Sequence, residues 1–294
     1  MKFIHCALLA AMAMQLSADS ITLPGASYDG QIGVTVIGGT GQQETIQSLG
    51  SYSVSASPSN IGTAAAGVST EPFPSVSMTE SVTEPTPQQL GNYVQSAGSA
   101  DSIRYDIEFS GPTATVPIEV NAFLSASITG NSGAGYSQAL FRIADVSSNQ
   151  GAYVLDDELY VGQIEYSILR GVNTPVLTPQ NSLSLTDSGI WMANTNTVYS
   201  ILLNGDAETY TGTDPSQLNG GTGSAFIDPT FQIASTVADP QDYSISLSPG
   251  IGNTPASVMA PEPSSAVLAL AGAGAICWMF RRRRKMKSHH GQAC

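Results

Sequence analysis

The sequence predicts an all-β body, a β-sandwich or jelly-roll-like fold, set between an N-terminal signal helix and a single C-terminal transmembrane helix. Three observations predict it. Apolar residues of the body alternate with polar ones at period two, and no window shows a convincing 3.6-residue period. Gly, Pro, Asn, Asp and Ser fill the gaps between these short runs. The long oily runs that read as helices stand only at the two ends.

Residues 1–18, MKFIHCALLAAMAMQLSA, carry one early positive charge, Lys2, then an apolar run, then small residues. That order is a secretory signal peptide, with cleavage placed after Ala18. His5 and Cys6 leave with it. Residues 19–260 form the extracytoplasmic β body. Its early part offers two or three weaker strands, in IGVTVIGG and SYSVSASP. The stretch Thr70 to Gln89 holds Pro72, Pro74, Pro85 and Pro87, so it is expected to be partly a long loop or edge segment. Its Ser/Thr/Pro content also fits a linker or O-glycosylation.

The clearest strands begin just after residue 100. SIRYDIEFS sets Ile103, Tyr105, Ile107 and Phe109 on one face and Arg104, Asp106 and Glu108 on the other. VPIEVNAFLSASI does the same with Val116, Ile118, Val120 and Ala122. ALFRIADV, ELYVGQIEYSIL, TVYSILL, FIDPTFQIA and YSISLSP are further strands. A boundary near residue 100 is one option. One domain is preferred, because the early strands would otherwise lack partners.

Charge is unevenly placed. The body holds 22 Asp plus Glu against three basic residues, Arg104, Arg142 and Arg170, a net of −19. Such a body does not bind nucleic acid, which needs cations to displace counterions from phosphate. All three cysteines, Cys6, Cys277 and Cys294, lie in the terminal segments, so no disulfide framework holds the body.

The body also has no His, no Cys and no Lys. That removes a Ser-His-Asp triad, a cysteine nucleophile, a Ser-Lys dyad and a Schiff base. It also removes the usual ligands of zinc and copper. Carboxylate chemistry survives. The run Asp156, Asp157 and Glu158 is read as an exposed turn, and it supplies the candidate calcium ligands. Asp206, Glu208 and Asp214 are further candidates from acid-bearing loops. Apart from this possible calcium, no cofactor is expected. Asp187-Ser188-Gly189 matches the triplet of aspartic proteases, but a lone triplet is also an ordinary turn.

Among the aromatics, Tyr105, Phe109, Phe123, Phe141, Tyr160 and Tyr166 could form a sugar-stacking platform; core packing is the default for them. Trp191 is the only body Trp, suited either to stacking on a saccharide or to a buried edge. The threonines are scattered and show no period along the chain, which speaks against an ice-binding array.

The last elements are a Pro-Glu-Pro turn at Pro261, Glu262 and Pro263, then 17 uncharged residues from Ser264 to Phe280, then Arg281, Arg282, Arg283 and Arg284. As a helix the uncharged run spans about 25 Å, slightly short of a hydrocarbon core of about 30 Å. The arginines resist translocation and act as a membrane stop, leaving the body outside. Two prolines two apart hold the approach to the membrane extended.

This ordered tail resembles the PEP-CTERM sorting signal of surface proteins from Gram-negative, exopolysaccharide-producing bacteria. The resemblance implies that an exosortase recognises residues 261–284 and cuts near Pro261, Glu262 and Pro263. Residues 285–294, KMKSHHGQAC, would be a cytoplasmic tail longer than the family usually has. YDIEFSGPTATVPIEV and the closing segments ANTNTVYSILLN, IDPTFQI and YSISLSPGIGN also resemble PEP-CTERM proteins, which implies a β-sandwich body of unassigned activity.

The expected function is that of an exported, non-enzymatic surface or matrix protein. Its implied partners are the Sec export machinery, the exosortase, the inner membrane and extracellular polysaccharide, the last from the resemblance alone. The alternative is a secreted carboxylate-dependent polysaccharide hydrolase or carbohydrate-binding module.

Overall fold

Alternation at period two makes each strand two-faced, and two-faced strands bury their oily side only by stacking one sheet on another. The computed structural model describes residues 22–37, 40–55, 62–83, 93–130, 135–146, 153–162, 166–175, 181–210 and 220–253. The signal helix, the transmembrane helix, Pro261–Pro263 and Arg281–Arg284 lie outside the described residues. Among the described residues, no helix is long and apolar enough to cross a membrane.

The described chain is all-β. In order it forms β1 (Ser27–Ile37), β2 (Gln42–Ile46), β3 (Gly50–Ser55), β4 (Gly62–Ser69), β5 (Ser75–Val82), β6 (Tyr93–Ser110), β7 (Thr115–Gly130) and β8 (Tyr136–Asp145). There follow β9 (Tyr153–Val161), β10 (Tyr166–Leu169), β11 (Val172–Pro175), β12 (Ser182–Asn194), β13 (Thr197–Tyr210), β14 (Gly221–Ile233) and β15 (Ser244–Leu247).

Two antiparallel sheets result. The first runs β11-β10-β9-β8-β13-β6-β1-β2, and the second runs β12-β7-β14-β5-β4-β3. In the first sheet β6 is long enough to take two partners on one side. β1 covers residues 93–104 and β15 covers Ile107 to Ser110. Face to face, β4 and β5 lie over β6, β5 and β14 over β13, and β7 and β14 over β8. The inward residues of both sheets make one core. Ile103, Ile107 and Phe109 of β6 and Val116, Ile118 and Val120 of β7 are fully buried, as the alternation predicts.

Three expectations need correction, and the optional boundary near residue 100 falls inside a strand. The segment Thr70 to Gln89 contains β5, an interior strand of the second sheet between β14 and β4. Its prolines bracket the strand: Pro72 and Pro74 precede Ser75, and Pro85 and Pro87 follow Val82. Nor does any break fall at residue 100, since β6 runs through it and pairs there with β1.

The Asp156-Asp157-Glu158 run is no turn. It is the middle of β9. Asp187-Ser188-Gly189 is likewise mid-strand, in β12.

Pro229 sits inside β14 and shows how a proline is tolerated in a sheet. β5 stops pairing with β14 at Ile227. Beyond that point the open edge is met by a side chain. Asn253 Oδ1 accepts from the Phe231 backbone N–H at 3.0 Å, and Asn253 Nδ2 donates to the Phe231 carbonyl at 2.7 Å. Residues two apart present their N–H to the same edge, so the N–H missing from Pro229 is missing where no strand needs it.

Candidate functional site

The nominated acids end up on opposite faces of β9. Asp156 and Glu158 point outward and are held by Arg142 of β8, whose Nε donates to Asp156 Oδ1 at 2.6 Å and whose Nη2 donates to Glu158 Oε2 at 3.3 Å. Glu158 Oε1 also accepts from Gln138 Nε2 and from the Tyr166 hydroxyl, each at 2.5 Å. The Arg142 guanidinium lies 4.6 Å over the Tyr153 ring.

Asp157 points inward and is fully buried. It belongs to a different cluster. Its Oδ1 accepts the Arg170 backbone N–H at 2.7 Å. The Arg170 side chain binds Asp187 of β12 through Nε at 3.0 Å and donates to the Ile190 carbonyl at 3.0 Å. Burial, reinforced by the neighbouring Asp187 carboxylate, raises the Asp157 pKa.

Arg170 reaches this position from a two-residue hairpin turn. Leu169 pairs with Val172, and Arg170 and Gly171 both have positive φ, 49° and 76°. The guanidinium lies over Gly189, where a Cβ would collide with it. The Asp-Ser-Gly triplet is thus an ion-paired clip between the sheets. Its second carboxylate, Asp157, is as buried as the first, so the pair is closed to a substrate.

Among the described residues, no three metal-ligating side chains are grouped. The calcium candidates are divided among an arginine-neutralised face (Asp156, Glu158), a buried clip (Asp157) and the outer face of β13 (Asp206, Glu208), and Asp214 lies outside the described residues.

Two of these candidates, Asp206 and Glu208, converge on a solvent-open concavity with residues that were not nominated. A trough of about 320 Å³ crosses the outer face of the first sheet. Strand register builds it. Gln43 of β2 stands beside Gly33 of β1, Gly33 beside Gly98 of β6, Gly98 beside Glu208 of β13, and Glu208 beside Tyr136 of β8. A second row runs Gln31, Ala100, Asp206. The row spans five strands, about 19 Å at ~4.8 Å per strand.

The floor is glycine and alanine. One wall is the Asp206–Glu208 carboxylate pair, and the other carries the Gln31 and Gln43 amides. Tyr136 closes one end, with its hydroxyl donating to Asp206 Oδ2 at 2.9 Å. Behind it the Tyr160 ring stacks at 5.8 Å and 9°, and Tyr166 stacks on Tyr160 at 5.3 Å and 3°. Burial raises the Asp206 pKa, the Tyr136 hydrogen bond opposes the rise, and the Glu208 charge adds to it.

Sequence reasoning nominated Asp206, Glu208, Tyr160 and Tyr166 but gave the acids to a loop. They lie in β13, which reaches Tyr210. The readable signal was Asp-Ala-Glu, two acids at strand spacing that share a face. Of the remaining aromatics, Tyr105, Phe109 and Phe141 are core. Trp191 is a partly buried edge, with ring centroids 4.7 Å from Tyr199 and 5.5 Å from Phe109.

The opposite outer face, that of the second sheet, is unlike this one. Register gathers scattered Ser and Thr into rows such as Thr129, Thr222, Ser81, Thr63 and Ser55, and Ser182, Ser127, Ser224 and Thr79. Neighbours in the rows bond to each other: Thr63 to Ser81 at 2.8 Å and Ser127 to Ser224 at 2.7 Å. The absence of a threonine period along the chain therefore did not reveal how the hydroxyls are arranged in space.

The comparisons with known proteins place the chain by its tail. Two antiparallel sheets followed by a Pro-Glu-Pro, apolar and arginine terminus define an exported β protein with a sorting signal. Residues 260–284 match the PEP-CTERM protein-sorting motif, so the chain carries that sorting signal in its C-terminal segment. The motif implies exosortase sorting, export and membrane-anchored transit.

No curated protein matches the chain. Among solved structures, the enzymatically active domain of tailspike protein 4 from bacteriophage CBA120 is 12% identical, with a TM-score of 0.18. The match covers 71% of this chain, which spans only 19% of that one. The Gt strain of infectious bursal disease virus gives 8% identity and a TM-score of 0.19, over 91% of this chain and 76% of that one. At such TM-scores neither likeness bears on fold or function.

Proposed function

We propose that the chain is a non-enzymatic protein of the cell surface or extracellular matrix, exported through the Sec machinery, held in the inner membrane by residues 264–280 and released by an exosortase at Pro261-Glu262-Pro263. The observation that carries this reading is the order of the tail: an acidic body, an extended Pro-Glu-Pro, an uncharged run and four arginines. A body of net charge −19 does not adhere to anionic lipid, so the tail alone holds it at the membrane. The non-enzymatic reading is supported by the fate of the acids nominated in β9 and β12, because Asp156, Glu158 and Asp187 are ion-paired and Asp157 is buried.

The second reading, a carbohydrate-binding module, is favoured by one feature, the trough at Tyr136, Asp206 and Glu208. The two readings are compatible, with extracellular polysaccharide as the partner. Fractionation of exosortase-bearing cells tests the sorting claim. The wild-type body is expected outside the inner membrane. A variant with Pro261, Glu262 and Pro263 all replaced by Ala is expected to stay in the inner-membrane fraction. Equal release of both would reject the assignment of these three residues.

A further inference from the structure

We propose that the trough on the outer face of the first sheet binds an uncharged polysaccharide chain, lying across β13, β6 and β1. The proposal deepens the polysaccharide part of the reading above and is independent of the tail.

The floor is the first argument. Gly98 and Gly33 sit in strand interiors, where glycine weakens a sheet and marks close approach by a ligand or another backbone. No fold requirement put them there. Neither has positive φ, and a Cβ at Gly98 would meet Glu208 Cγ at 3.5 Å, the Ala207 carbonyl at 3.7 Å and Glu208 Cβ at 3.9 Å. At Gly33 the nearest atom would be the Gln42 carbonyl, also at 3.5 Å. All are ordinary van der Waals distances. What the two glycines do is keep a groove open across paired strands that could have been filled.

The second argument is the chemistry of the walls. The carboxylates of Asp206 and Glu208 are acceptors for hydroxyl donors. The amides of Gln31 and Gln43 both donate and accept. Tyr136 adds an aromatic ring held by its stacking partner Tyr160. This mixture suits a polyhydroxylated ligand with an apolar ring face. No arginine lines the trough and the body has no lysine, so an anionic glycan meets only like charge. The shape argues for a chain over a single sugar. The trough is open to solvent along its length, and its row of residues runs across five strands up to Tyr136.

The test is isothermal titration of the full-length chain in detergent against a panel of neutral hexose and pentose oligosaccharides and, as a separate arm, alginate oligosaccharide, both with EDTA present, and against calcium chloride in a further arm without EDTA. Saturable binding to at least one neutral oligosaccharide is expected. It should weaken at least tenfold in Gly98→Leu, which fills the floor, and in Gln31→Ala, which is exposed and leaves the strand intact. Unchanged thermal unfolding in Gln31→Ala separates loss of binding from loss of fold. Binding only to alginate or only to calcium overturns the proposal. So does neutral-glycan binding that survives both substitutions, or no neutral binding at all. None of these outcomes depends on tail processing, so failure here leaves the sorting assignment standing.

Discussion

At the scale of the residue, buried acids set the behaviour. Glu80 of β5 is buried between the sheets. Burial first, then the Glu208 and Asp206 carboxylates, push its pKa to about 9, against the opposing Thr209 hydroxyl. Asp101 rises to about 7 through burial, with Asp29 adding to it, and Asp228 rises to about 6 through burial. Each folded pKa lies above its unfolded value. The folded state therefore holds extra protons between the two, and its stability is fully present below about pH 4 and lost as pH climbs through the folded pKa. Glu80→Gln should flatten the pH dependence of unfolding between pH 6 and 9 and raise stability at pH 9, as read by urea melts. A variant whose pH profile overlays the wild type would show that Glu80 ionises freely.

Arg170 supplies the second residue-scale prediction. Arg170→Ala leaves Asp157 and Asp187 facing each other without their cation and should cost about 3 kcal/mol at pH 8. The loss should shrink at pH 5, where Asp157 carries a proton. Equal loss at both pH values would contradict the clip.

At the scale of the element, the strands that were legible are those whose alternation is clean and whose turns are marked. β6 and β7 are the clearest cases, with Ile103 through Phe109 and Val116 through Ala122 on the buried face. Strands made of small polar residues were not legible. β4, GTAAAGVS, and β12, SLSLTDSGIWMAN, carry too little oil on either face for period two to stand out, and burial comes from the sheet above them. β5 was hidden by prolines that flank it. The same reason hid the trough. It is made by register between strands distant in sequence, with Gly33, Gly98 and Glu208 adjacent only because β1, β6 and β13 pair. Only the Asp206–Glu208 spacing was local.

The open edge of β14 offers an element-scale test. Asn253→Ala removes both hydrogen bonds to the Phe231 backbone and should destabilise by about 1–3 kcal/mol. Asn253→Asp keeps the acceptor for the Phe231 N–H but sets a carboxylate oxygen against the Phe231 carbonyl, and should destabilise at least as much as Asn253→Ala. No change in the unfolding midpoint for either would show that the edge is satisfied by water.

At the scale of the whole molecule, the two outer faces differ in kind. One carries the ion-paired Arg142, Asp156 and Glu158 and the trough acids; the other is largely hydroxyl, with Ser and Thr aligned across strands. With a body at −19, self-repulsion grows as the raised carboxyls ionise. The unfolding temperature should therefore fall from pH 5 to pH 9, and added salt should recover part of the loss at pH 9 by screening. A profile that rises toward pH 9 would contradict the buried-acid account as a whole.

The charge asymmetry between body and tail carries the functional claim, and intact mass of the mature protein from exosortase-bearing cells tests it most directly. A chain beginning at Asp19 and ending close to Pro261–Pro263 is the expected result. A chain running from Met1 to Cys294 would contradict it.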